Sequence, residues 1–430
     1  MGFGKGRRRV VTLVVAVLAV GLAAVVGYRV LAPAEVVTVA RAGYPPAPDL
    51  TPRVVGRQPT APLLVDGRLR VHAATRQVFA DQPADLKNRT TPFWSYRRWP
   101  AELVGVVAVG STVVSRWSDG QLVALDARTG RVAWRASGPD PGQGYPARRT
   151  GAAVVWTPTG LRTGVTTDGR LLLVVAAAGE LRGYDPGTGR ELWRAAVRPG
   201  CHGDPLTTVG ARLITVDTCA TPQVAEFRDP ATGAVLDRWR PEDAGSALTV
   251  DGLGCAAYRS RCAGIRTADT AGLRTGEEGA LRTVDGSGRG WLVDTPEPFP
   301  TGALNPAEVV LADGTAVSRD GGAIVARSAR TGAEIWRRQE TPGARILAAQ
   351  PGRVHIRTES NDLLTVDPGS GAELSRFPFT VGRDGTGWAT GLVSATGGFL
   401  AVERLNQPVA PEAEDRRYYL TTEPVILAVT

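Results

Sequence analysis

The stretch Gly120–Ala136, GQLVALDARTGRVAWRA, recurs along the chain, and no other feature constrains the fold as tightly. Two alternating apolar runs, QLVAL and RVAW, flank a turn made of Asp126, Thr129 and Gly130. Period-two apolarity on both sides of a turn closed by a glycine predicts a β-hairpin. The pattern returns at Gly179–Ala195 and Gly322–Arg338, in worn form at Val224–Arg240 and Asp362–Phe377, and more weakly at Leu69–Ala80 and Ala280–Asp294. Its turn residues Thr75, Thr129, Thr188, Thr232, Ser287, Thr331 and Ser370 step by 39 to 59 residues. Each step holds about four strands, the size of one propeller blade. Such a unit cannot bury both faces of its sheet alone, and packing against two neighbours does it. The expectation is an all-β propeller of four-stranded blades.

The turn-plus-tryptophan form resembles the repeat of the quinoprotein-dehydrogenase-like, or PQQ-like, propellers. In that repeat a Trp four residues after the turn Gly docks one blade onto the next. Thr129, Gly130 and Trp134 match it, as do Thr188, Gly189 and Trp193, and Thr331, Gly332 and Trp336. Two copies depart from it. Thr232 and Gly233 are followed by Asp237 at the Trp position, and Gly371 by Ser375, with Trp239 and Phe377 two residues further on. Two residues along a strand return to the same face, so these aromatics still reach the same side. The resemblance runs from Leu63 to the C-terminal residue and bears on fold far more than on function.

The same resemblance implies a place for pyrroloquinoline quinone (PQQ) in the central funnel. The family's site uses a disulfide between adjacent cysteines, a Trp on the opposite face of the quinone, a Ca²⁺ held by acidic and amide side chains, and an Asp base. No adjacent Cys pair occurs here, and none of Asn88, Asn305, Asn361 and Asn406 stands beside an acidic pair at the start of a blade. No cofactor residue transfers, so the expectation is a ring without PQQ, without a resident metal and without catalytic residues. His72, His202 and His355 lie in different repeats, and no GxSxG, HExxH or phosphate-binding GxxxxGK[ST] motif occurs. The turns at Asp285 and Asp384 lack the alternating carboxylates and closing Glu of a Ca²⁺ loop and read as β-turns.

Ahead of the repeats, residues 1–9 form a basic tail with Lys5, Arg7, Arg8 and Arg9, and Val10–Tyr28 holds no charge. As a helix that run is about 28 Å long, close to the hydrocarbon thickness of a bilayer. The expectation is an uncleaved transmembrane signal anchor over residues 10–31, cytoplasmic at its N-terminus by the positive-inside rule, with everything beyond outside. A cleaved signal peptide is the rival, but its apolar region is normally shorter. Residues 32–62 carry six prolines from Pro45 to Pro62 and read as an extended tether. The propeller would then occupy 63–430.

Four cysteines in a segment placed outside the membrane argue for disulfides. Three pairings are open, and Cys201–Cys219 with Cys255–Cys262 keeps each bridge within one blade. Zinc is the alternative, with spacings unlike a compact metal knuckle. Thr90–Pro100, TTPFWSYRRWP, offers either an aromatic-basic ligand platform or a loop whose aromatics plug a gap between blades. LLLVVAAAG at Leu171–Gly179 suits a strand buried on both faces, and Arg266–Gly279 and Pro408–Asp415 read as exposed loops. If the N-terminal hairpin shares a blade with the tail, the count is seven, the favoured number. A separate tail blade makes eight.

The net charge of +8 comes partly from the first ten residues, and the rest is too mildly basic for a nucleic-acid surface. Arginine supplies almost all the basic side chains, with Lys only at Lys5 and Lys87, a mark of a GC-rich bacterial genome. The function expected is a non-catalytic, membrane-tethered binding or scaffold module of the bacterial envelope. It would be monomeric, with an unidentified protein or glycan partner and no nucleic acid. In architecture it is similar to the propeller lipoprotein that assists outer-membrane barrel assembly, although it lacks a lipid-bearing Cys. The alternative is a quinoprotein oxidoreductase with a rearranged PQQ and calcium site.

Overall fold

The computed structural model describes residues 15–22, 34–87, 91–142, 144, 149–240, 248–269, 273–275, 281–283, 289–292, 308–382, 387–407 and 419–430. Its described strands fall into antiparallel sheets that follow one another along the chain, most of them four-stranded. In most of them the strands follow chain order from one edge of the sheet to the other. The sheet of Leu103–Val109, Thr112–Trp117, Gln121–Asp126 and Val132–Ser137 is representative. Burial follows from that placement. The near-central strand Leu103–Val109 is buried almost throughout, because neighbouring sheets cover both its faces. The rim strands Glu334–Gln339 and Glu373–Pro378 alternate between exposed and half-buried, since one face meets water. Leu171–Ala177, the long apolar run, is the second strand of its sheet and is buried along its middle.

Successive sheets touch through their first strands, Leu103–Val109 with Leu161–Val165, that strand with Leu206–Thr207, and Val309–Ala312 with Arg345–Gln350, which in turn meets Ala389–Thr396. The turn closes where Phe399, Val425 and Leu427 of the last sheet share a core with Val65, Leu69 and Val71 of the first. The expected all-β propeller is the architecture found.

Three expectations need correction. The residues read as a tether are built into the ring. Ala34–Thr38 pairs with Trp94–Trp99 as a fifth strand of the first sheet, and Arg53–Gln58 pairs with Val425–Val429 as the outermost strand of the last. Val54 and Val55, apolar between polar neighbours, reach two different apolar clusters, a role that the proline-rich surroundings of Arg53–Gln58 concealed. The blade count of seven rested on the N-terminal hairpin sharing a sheet with the tail. Instead Leu69–Ala74 and Gln77–Asp81 pair with Leu63–Val65 and Trp94–Trp99, while the tail strands form a sheet with Arg53–Gln58.

The single-pass anchor, and with it the placement of the chain across a cell membrane, is also overturned. Among the described residues no helix is long and apolar enough to cross a membrane. Apart from residues 15–22, the 10–31 segment lies outside the described residues, as do Ser287, Asp285, Asp384 and the loop from Pro408 to Asp415. Of the loop expected at Arg266–Gly279, residues 266–269 instead continue a strand.

Candidate functional site

The threonine, glycine and tryptophan residues of the repeat meet at the seams between sheets. Trp134 donates its indole N–H to the Pro186 carbonyl of the next sheet at 2.9 Å, Trp193 to Pro230 at 2.7 Å and Trp336 to Pro368 at 2.9 Å. Each acceptor follows the turn Asp whose side chain caps its own turn, as when Asp185 accepts from the Thr188 backbone and hydroxyl. The turn glycine lies flat on the ring of the preceding sheet's Trp. A Cβ on Gly189 would come within 2.4 Å of Trp134, on Gly233 within 2.5 Å of Trp193, and on Gly371 within 2.7 Å of Trp336. Thr129 and Gly130 receive a tryptophan that the spacing did not reveal. Trp94 donates to Ala127 O at 2.8 Å, and a Cβ on Gly130 would fall 2.3 Å from it.

The segment WSYRRW is therefore neither a ligand platform nor a loop but a strand, Trp94–Trp99, held between Ala34–Thr38 and Gln77–Asp81. Trp94 and Tyr96 point inward and are buried, Tyr96 edge-on to Trp117 at 5.7 Å, while Trp99 faces outward beneath the Arg76 guanidinium. Thr331 and Gly332 form the turn after Ala323–Ser328, where the Gly332 N–H donates to Ser328 O. Thr232 caps its turn through Asp229. Trp239 and Phe377, the displaced aromatics, are half-buried against the apolar clusters of their own seams. Trp94, Trp134, Trp193 and Trp336, with the turn glycines that lie on their rings, tie neighbouring sheets together, and among the described residues none of the repeat residues lines the central cavity.

The cysteines form two bridges, Cys201–Cys219 and Cys255–Cys262. The second joins directly opposed residues of the hairpin Leu248–Ala257 and Ser260–Asp269, whose strands are ten residues each, the longest in the molecule among the described residues. Gly252 lies under the bridge, where a Cβ would come within 2.5 Å of both sulfurs.

The extra length carries this hairpin across the middle of the ring. Leu248–Ala257 reaches Arg345–Gln350 and Ala389–Thr396, and Ser260–Asp269 reaches Leu161–Val165 and Leu206–Thr207. Its tip is pinned on the near side. Thr207 N donates to Arg259 O at 2.9 Å, Arg261 N donates to Thr207 Oγ1 at 2.9 Å, and Arg162 lies 4.9 Å over the Tyr258 ring. Beside the tip remains a central cavity of about 640 Å³, lined by first strands of six sheets.

The three histidines are held by hydrogen bonds. His72 Nε2 meets Asp81 Oδ1 at 3.1 Å and its Nδ1 meets Thr60 Oγ1 at 3.0 Å, while Arg70 clamps both Asp81 oxygens at 2.8 Å. Burial alone would raise the Asp81 carboxyl, but hydrogen bonds and charge from His72 and Arg70 win and hold it down at about 2. The hydroxyl–imidazole–carboxylate order matches a nucleophile triad in kind. However, the bidentate arginine ties the carboxylate into the sheet, and none of the three residues lines the central cavity. His355, buried between Gln350 and Thr365, is pushed down to about 3 by burial and then by the charge of Arg353.

His202, Asp217 and Glu226 bring ligand-type atoms within 4.8 Å of one another, a cluster that sequence spacing did not suggest. Arg228 and Arg238 already hold Glu226 at 2.6 and 2.9 Å, and Arg198 stands 3.5 Å from Asp217. The carboxylate charge is met by guanidinium groups, so the cluster is an ion-pair network.

Against known proteins, residues 119–339 match the model of the PQQ_2 family, described as outer membrane protein assembly factor BamB. A quinoprotein ethanol dehydrogenase of Pseudomonas aeruginosa is 28% identical over 194 residues, 41% of this chain. The match spans only 29% of that enzyme's length. The crystal structure of BamB from Moraxella catarrhalis superposes with a TM-score of 0.50 at 16% identity, covering 88% of this chain and 99% of that one. That likeness is one of fold.

Proposed function

The chain belongs to the PQQ_2 family described as outer membrane protein assembly factor BamB, and from that premise we propose that it is a non-catalytic protein-binding scaffold of the bacterial cell envelope. The observation that carries this reading is the hairpin Leu248–Asp269. A ring that spans its own centre with a disulfide-bridged strand pair, leaving a cavity beside the tip, offers its loop faces as the broad surface for a protein partner. Two disulfides suit an oxidising compartment. The test is crosslinking in envelope preparations followed by affinity capture of the full chain. A discrete protein recovered with this ring and not with an unrelated propeller supports the reading, and recovery of nothing above that control overturns it.

The stretch of identity with a quinoprotein ethanol dehydrogenase favours a second reading, an oxidoreductase. The central residues do not fit the quinone. Among the described residues the carboxylates lining the cavity are Asp66 and Asp251, engaged by Tyr44 and by Arg259 with Arg266. The cavity's disulfide joins opposed strands, not neighbours in sequence, so it offers no flat vicinal ring to a cofactor. Incubating the protein with PQQ and Ca²⁺ and assaying alcohol-dependent dye reduction separates the two readings. Turnover would favour the enzyme.

A further inference from the structure

Arg261 is the one cationic side chain on the central cavity that lacks a partner among the described residues. Its Nε is buried without an acceptor, and no carboxylate lies within salt-bridge distance of its guanidinium. The other charged groups lining the cavity are spoken for. Arg259 faces Asp251 at 3.8 Å, Arg266 meets the other Asp251 oxygen at 3.7 Å, and Asp66 accepts from the Tyr44 hydroxyl at 3.2 Å. A half-buried guanidinium with one buried, unsatisfied N–H and no protein counter-charge is open to an anion that enters the cavity. Its position is also imposed. Arg259 and Arg261 both have φ in the left-handed region, +52° and +51°, and Thr207 holds the backbone of each. Chain geometry that side chains rarely adopt is thus used to set Arg261 beside the cavity.

Next to it Tyr258, 43% exposed, presents its ring at the hairpin tip, and small apolar residues such as Ala108, Ala349 and Val393 form an apolar wall of the same cavity. The volume of about 640 Å³ is that of a small-molecule site. We propose that this cavity binds a small monocarboxylate with a flat apolar body, the carboxylate paired with Arg261 and the body lying between Tyr258 and the apolar wall. One unpaired guanidinium calls for one anionic group. A polyanion such as the tricarboxylate quinone finds a single free cation here, and no metal is needed. The site is independent of any protein partner on the loop faces.

The test uses purified full-length protein without Ca²⁺ and 1-naphthoate as the probe, followed by calorimetric titration and by thermal unfolding. The expected result is saturable one-to-one binding that raises the melting temperature, with the neutral isostere 1-naphthalenemethanol at least tenfold weaker. Arg261→Gln should lose at least tenfold in naphthoate affinity while its unliganded melting temperature stays level or rises, because an unpaired cation has been removed. Arg261→Lys should recover part of the affinity. Equal binding of the acid and the alcohol, unchanged affinity in Arg261→Gln, or no saturable binding of naphthoate at millimolar concentration would each overturn the proposal.

Discussion

The Trp134 indole N–H sits 2.9 Å from the Pro186 carbonyl, fifty-two residues on and in the next sheet, while Gly189 covers the face of the same ring. One side chain therefore fills the seam and satisfies a buried carbonyl at once. The arrangement recurs at Trp94, Trp193 and Trp336, so the ring is held by equivalent joints.

Replacing Trp193 by Ala should remove one joint and cost about 3–5 kcal/mol, the range for emptying a buried aromatic site. Trp193→Phe keeps most of the volume and loses chiefly the bond to Pro230, a cost of about 1–3 kcal/mol for an acceptor left unsatisfied. Denaturant unfolding of both variants should show that order, and a Trp193→Phe variant as stable as the parent would count against the hydrogen bond.

Gly189 and Gly200 share a left-handed backbone, φ +73° and +72°, but only Gly189 lies against a ring. Alanine at Gly200 should cost about 1–2 kcal/mol for conformation alone. At Gly189 it should cost a further 1–3 kcal/mol or so, because Trp134 must shift. Melting temperatures of the two variants measure the difference directly.

Acid should weaken the fold in two stages, with signs that follow from the depressed values. His355 is neutral in the folded state down to about pH 3, while the unfolded chain protonates it near 6.5. The unfolded state binds more protons between those values, so stability falls as pH drops through that window. Asp81, at about 2 when folded against 3.8 ordinarily, adds a second loss between those values. His355→Gln should flatten the first stage and leave the second, as read by urea unfolding from pH 7 down to pH 2.

Trypsin should test the hairpin. Arg259 and Arg261 flank its tip and are held by Thr207 and the Cys255–Cys262 bridge, so the native protein should resist cleavage there. In Cys255→Ala/Cys262→Ala the cross-link is gone and cleavage at these two arginines should appear, detected by mass spectrometry of the fragments. Resistance equal to that of the parent would mean that packing alone holds the tip.

A chain shortened to begin at residue 63, the domain boundary that proline content suggests, should lose Arg53–Gln58 and leave Val425–Val429 as an open edge. Open apolar edges pair with other chains. The expected outcome is aggregation on size exclusion, against a monodisperse chain beginning at residue 34.

The repeat was readable because turn chemistry and period-two apolarity are local, and the same local signals placed Trp134, Trp193 and Trp336. Trp94 was not readable, because the connection from Gln82 to Phe93 separates it from its own hairpin and destroys the spacing. Arg53–Gln58 escaped for a related reason. Its partner strand lies more than 350 residues away, and no short window contains both. The cavity depends on how far one hairpin extends beyond its neighbours. Strand length in Leu248–Asp269 is visible only as apolar residues interrupted by Gly252, Gly254 and Gly264, a pattern that reads equally well as loop.

The pairing of Arg53 with Val429 has a temporal meaning. At a translation rate of about 5–20 residues per second, tens of seconds separate the synthesis of those two strands. Throughout that interval the earlier strand waits without its mate, and the incomplete circle exposes seams meant to be internal. Until the last segment arrives, a nascent molecule of this design keeps the Arg53–Gln58 edge unpaired.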